Sequence, residues 1–193
     1  MHKTQSGATK RLPARVLGAG LVLLGLLILL SGSALIQGNK PFTISSPDFK
    51  DGGRLPHDSS FNMNGCTGRN IAPTFRWSGV PDGTQSFALT INDVDAPVAG
   101  GFHHWVVFNI PASVHELGNQ PPFDQGTNSS GMVGYHGPCP PANGQIHHYI
   151  ISVYALSVPH IAGDSSLTYE ALLQAISNDV VGITSTVGTF SRK

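Results

Sequence analysis

The chain has 193 residues, with 11 Lys and Arg balanced by 11 Asp and Glu and only 11% charged residues. That length fits one domain, and the absence of a basic surplus excludes the electrostatic footprint that nucleic-acid binding requires. Gly (23) and Pro (14) are spread along the chain without a collagen-like period, which favours many turns between short strands over long helices.

His2, Lys3, Lys10, Arg11 and Arg15 precede the uncharged run from Val16 to Leu30. Its extension through Ile36 reaches the length of a spanning helix, roughly 20 residues. A cleavable signal peptide, with Ser31-x-Ser33 or Gly32-x-Ala34 at the cut, and an uncleaved anchor with a cytoplasmic positive flank both fit. No Cys follows the apolar core, which excludes a lipoprotein. Residues 1–36 are therefore read as a signal peptide or a single N-terminal hydrophobic helix anchoring the inner membrane, 37–41 as a linker and 42–193 as the domain. Either way the domain lies outside the cytoplasm, periplasmic or secreted. Its two cysteines, Cys66 and Cys139, are permitted to pair in an oxidising compartment, although sequence does not set the distance between their Cα atoms. Two cysteines are too few for a thiolate metal site.

Phe42-Thr43-Ile44 alternates as an edge strand does, residues 51–60 are turn-forming, and Thr74 to Trp77 is a short strand. Pro81-Asp82-Gly83 predicts a turn into Ser86–Ile91, where Phe87, Leu89 and Ile91 share one face. Val106–Ile110 and Tyr149–Leu156 show no polar alternation, the pattern of central strands buried on both faces. Between them, Ala112–Gly134 has no periodicity and reads as a long functional loop. One helix is predicted: Thr168 caps it, Glu170 sits in the first turn, Leu172, Leu173, Ile176 and Val180 trace one face, and Gly182 ends it.

Polar groups that can carry chemistry gather at strand ends. Asp93 and Asp95 follow one strand, His103 and His104 open the next, and His147 and His148 open a third. Successive residues of an extended segment point opposite ways, so one member of each pair faces inward. A carboxylate accepting from one imidazole nitrogen fixes the tautomer and leaves the other nitrogen for a ligand. Polar groups converging in an apolar wall are the signature of a small-molecule site. Gly137-Pro138-Cys139-Pro140-Pro141 is stiff and poor in donors; it reads as a pocket wall in which Gly137 allows a ligand close to the backbone.

These residues in this order resemble the phosphatidylethanolamine-binding protein family, most closely its bacterial Raf-kinase-inhibitor-like branch. The markers are Cys66-x-Gly68-x-Asn70, Trp77-Ser78-Gly79-Val80-Pro81, Asp93-x-Asp95-Ala96-Pro97, His104-Trp105-Val106-Val107-Phe108-Asn109-Ile110-Pro111, Gly137-Pro138-Cys139-Pro140-Pro141 and His147-x-Tyr149. The resemblance implies an all-β, Greek-key β-sandwich of two antiparallel sheets with one or two peripheral helices, and an anion pocket at one end. In that frame Asp93, His104 and His147 are pocket residues, Pro138 and the following prolines form the wall, Tyr149 lies beside the ligand and Phe102 is an aromatic lid. Val94 departs from the family's Asp-Pro-Asp-Ala-Pro turn, and His148 replaces a common arginine. The function implied is non-enzymatic binding of a small anion or phospholipid head group, His104 and His147 donating to the anion. No cofactor is implied. Two rivals are a docking protein that inhibits a kinase or protease through the pocket rim and the 112–134 loop, and a metal-assisted hydrolase using Asp93, Asp95, His104 and His147. The chain has neither a Gly-x-Ser-x-Gly elbow nor a His-Glu-x-x-His helix to support catalysis.

Overall fold

The computed structural model describes residues 40–193, so the apolar N-terminal run and most of the linker lie outside the described residues. Two antiparallel sheets face one another. In the smaller, β1 (Thr43–Ser45) pairs with β2 (Phe75–Ser78), which pairs with β5 (Glu116–Leu117). The larger runs in the order β6 (Asp124–Gln125), β4 (Phe102–Pro111), β3 (Ser86–Asp93), β7 (His147–Leu156), β8 (Val180–Phe190).

Period-two alternation divides the apolar residues of the large sheet between two cores. Phe87, Leu89 and Ile91 of β3 join Tyr149, Ile151, Val153 and Ala155 of β7 and Trp105 and Val107 of β4 in the inter-sheet core, packed against Phe75, Trp77 and Leu117. Ala88, Val106, Phe108, Tyr154 and Leu156 point the other way, onto Leu172 and Ile176 of the helix α1 (Tyr169–Ile176). Burial on both faces is the reason the central strands lack polar alternation.

The C-terminal fifth differs from expectation. Thr168 does cap α1, its side chain accepting from the Ala171 amide at 3.3 Å. However, the helix stops at Ile176, and Val180 and Gly182 belong to β8 rather than to a helix face and its stop. Asn178 and Asp179 turn the chain, and the β-branched Val180, Val181, Ile183, Thr184, Thr186 and Val187 then favour the sheet. The 112–134 segment is not structureless either, since it supplies β5 and β6, one strand to each sheet. Among the described residues no helix is long and apolar enough to cross a membrane.

Candidate functional site

At one end of the sandwich the apolar stripes of the inter-sheet face run out into polar residues. Along β3 the stripe Phe87-Leu89-Ile91 continues with Asp93; along β7, read backwards, Val153-Ile151-Tyr149 continues with His147. The two strands are neighbours, so the two stripe ends meet: Nδ1–H of His147 donates to Oδ2 of Asp93 at 2.8 Å, with both side chains buried.

His104 reaches the same place by a different device. The pairing of β3 with β4 shifts between Ile91 and Asn92, which face Trp105 and His103, leaving His104 as an extra residue. Such a bulge breaks the alternation and re-aims a side chain. Here it puts His104 and Trp105 on the inter-sheet side together. His104 packs edge-on to Tyr149 with ring centroids 5.1 Å apart, while His103 turns to α1, stacked on Tyr169 at 4.0 Å and bonded to Glu170 at 2.7 Å.

The result is a cleft of about 160 Å³, whose walls include Asp93, His104, His136, His147, Phe102, Pro140 and Pro141. Of the side chains expected at the site, Asp93, Phe102, His104 and His147 line it. Phe102 is half-buried, its ring centroid 4.7 Å from that of His104 and 5.3 Å from that of His136.

The remaining expected residues sit elsewhere. Asp95 turns away to bond the backbone N–H and Nδ1 of His148, both at 2.7 Å, and that ring nitrogen holds its carboxyl below the usual range. The Val94 amide, free because no proline occupies the position, donates to the His148 carbonyl at 3.2 Å. Tyr149 is fully buried and shares with Pro138 and His104 a small inner cavity of about 10 Å³ beneath the cleft. Burial, and next the charge of Asp93, push its phenol above the ordinary range. At Gly137 a Cβ would stand 2.2 Å from the Ser59 carbonyl oxygen, so backbone packing against residues 59–61 requires glycine there.

His136 organises the wall. Its carbonyl accepts from Nδ1–H of His104 at 2.5 Å, and its ring stacks on Phe61 at 3.9 Å. Cys139, within the same wall, is disulfide-bonded to Cys66, with Cα atoms 5.9 Å apart.

These bonds determine what the cleft can do. A carbonyl and a carboxylate only accept, so His104 and His147 each carry a proton on Nδ1. Neither Nε2 has a partner among the described residues, and neither is sealed from the cleft. Burial lowers the His104 pKa to about 3 and lowers that of His136 in the same direction. Neutral His104 therefore accepts at Nε2, contrary to the expected donation. No three His, Cys, Asp or Glu among the described residues converge as a metal site.

A preformed, mainly apolar cleft with a few convergent polar groups, set at the end of a β-sandwich, defines a small-ligand binding domain. The family is then settled by similarity. The family model described as phosphatidylethanolamine-binding protein matches residues 45–191, and the chain belongs to that family. YbcL of Escherichia coli is 42% identical over 135 residues, covering 65% of this chain and 74% of that protein. A Mycobacterium tuberculosis protein named lipoprotein LppC is 39% identical over 154 residues, 78% of this chain and 73% of its own length. The crystal structure of YbcL superposes with a TM-score of 0.75 at 34% identity, covering 80% of this chain and all of that one (100%). A homologue from Chlamydia trachomatis gives 0.70 at 30% identity, covering 79% of this chain and 98% of its own.

Proposed function

We propose that the chain is a non-catalytic binding protein whose cleft takes a phosphate-type head group outside the cytoplasm. One observation carries the reading: three adjacent strands deliver Asp93, His104 and His147 to a single cleft, with both Nε2 atoms unpartnered. A phosphomonoester has a second pKa of about 6, so its monoanion still holds a P–OH. That hydroxyl can donate to neutral His104. A second phosphate oxygen can share a proton with Nε2 of His147, whose ring Asp93 orients through Nδ1. Ala96, Pro97, Val98, Phe102 and Pro140 offer an apolar wall to whatever the phosphate is esterified to. The Cys66–Cys139 bond supports an oxidising compartment, as does similarity to a protein named a lipoprotein. In this chain no Cys stands between the apolar run and Cys66, so any retention at a membrane would rely on that run itself.

The test is a titration of the full-length protein with a short-chain phosphomonoester, followed by imidazole ¹⁵N signals. The His104 and His147 Nε2 resonances are expected to move together. Affinity is expected to fall as the pH rises above about 6, where the ligand loses its proton, and H147Q to weaken binding about tenfold. Ring signals that stay unchanged at millimolar ligand would sink the proposal.

A further inference from the structure

A second pocket, of about 180 Å³, lies on the other side of the disulfide: Cys66 lines it, whereas Cys139 lines the cleft. Its walls carry the side chains of Arg54, His57, Arg192 and Lys193 together with the hydroxyls of Thr67 and Ser191, and no Asp or Glu side chain. The only other lysines and arginines of residues 40–193 are Lys40, Lys50, Arg69 and Arg76, and the last two are neutralised by Asp58 and Glu116. Arg54 and Arg192 have no acidic partner within ion-pair distance among the described residues. In a chain with zero net charge, this concentration of unpaired cations is not a solvated average.

Both guanidinium groups are held in place by neutral partners. Arg54 lies 4.7 Å over the Phe190 ring and donates to Oγ and the carbonyl of Ser191 at 3.2 and 3.1 Å. Arg192 donates from Nη1 to the Asn64 carbonyl at 3.3 Å and to the Cys66 sulfur at 3.2 Å. Its Nε is buried with no acceptor among the described residues. An unmet donor of that kind is costly, and fixed forks of N–H groups match the oxygens of a tetrahedral oxyanion. The Ser191 oxygen accepts from Arg54, so its own O–H remains to donate.

We infer that this pocket is a second, separate anion site, built for a phosphate or phosphomonoester dianion held by Arg54, Arg192 and Lys193. It differs in principle from the cleft. Here permanent charge does the binding and the fully ionised ligand is preferred, whereas the cleft favours a ligand that still carries a proton.

The test follows the Nε–H signals of Arg54 and Arg192 in the full-length protein at low salt. Inorganic phosphate at millimolar concentration is expected to shift both, more strongly at pH 8 than at pH 5.5. R54Q, a change at an exposed side chain, should weaken binding about tenfold; K193Q serves the same purpose should R54Q fail to fold. H147Q should leave the shifts intact. Vesicles of phosphatidic acid and of phosphatidylcholine distinguish the sources of the ligand. Capture by the former without a response to free phosphate assigns the pocket to lipid head groups, and the reverse assigns it to soluble phosphate esters. The inference falls if neither ligand moves the arginine signals, or if H147Q abolishes the shifts, which would locate the phosphate in the cleft.

Discussion

A proton added to His104 must enter a ring that is 3% exposed and has already committed Nδ1 to the His136 carbonyl. Unfolding releases that ring to its ordinary pKa of 6.5 from about 3. Between those two values the unfolded chain binds one proton more than the folded one. Stability therefore falls as the pH is lowered, by about 1.4 kcal/mol per unit from this residue alone. Taking the protein from pH 6.5 to pH 5 should cost about 2 kcal/mol through His104, and the shift at His136 has the same sign. Urea unfolding at both pH values, on wild type and H104Q, measures this directly; the variant should lose less stability on acidification. Identical pH dependence in the two proteins would refute the account. Asp93 and His147 stood out in the sequence as members of polar pairs at strand ends, and the family resemblance chose them over Asp95 and His148; the period-two stripes that end in them show only in the paired strands.

At the level of elements, legibility ended where pairing began. The bulge that separates His103 from His104 depends on β3 as much as on β4, so no local pattern in β4 announces it. Strand β8 was hidden for a related reason. Its glycines look like helix stops or loop residues, but they are there because neighbours press on the strand. A Cβ on Gly182 would lie 2.6 Å from the Pro81 ring, and one on Gly188 would lie 2.3 Å from Leu55. The segment carrying Leu55 is laced to β8 by backbone bonds from Gly52 to Val187 and from Leu55 to Thr189, 2.7 and 2.8 Å long. G188A should thus destabilise the protein by about 2 kcal/mol through overpacking. In an L55A background, where the crowding group is gone, the same change should cost clearly less. A double-mutant cycle by chemical denaturation decides this, and additive effects would show that Leu55 is not the obstacle.

For the molecule as a whole, the Cys66–Cys139 bond closes a loop of sequence separation 73 and stands between the cleft and the basic pocket. Chain entropy alone gives such a cross-link about 4 kcal/mol. The C66A/C139A double variant should therefore lose a large part of the total stability and unfold at markedly lower urea. Retention of the wild-type midpoint would mean that the wall stands without its brace. The all-β class was open to sequence reading through short apolar runs separated by Gly and Pro, and the sandwich through the family resemblance. The basic pocket was not, since Arg54 and Arg192 come from opposite ends of the described chain and meet only when β8 docks beside residues 51–55. One supernumerary residue in β4 has a consequence for the lineage of such clefts. Losing the codon of His103 would restore regular pairing and turn His104 toward α1, emptying the cleft of an imidazole that the chain still carried. Ligand preference here can drift through the length of a three-residue stretch as readily as through its composition.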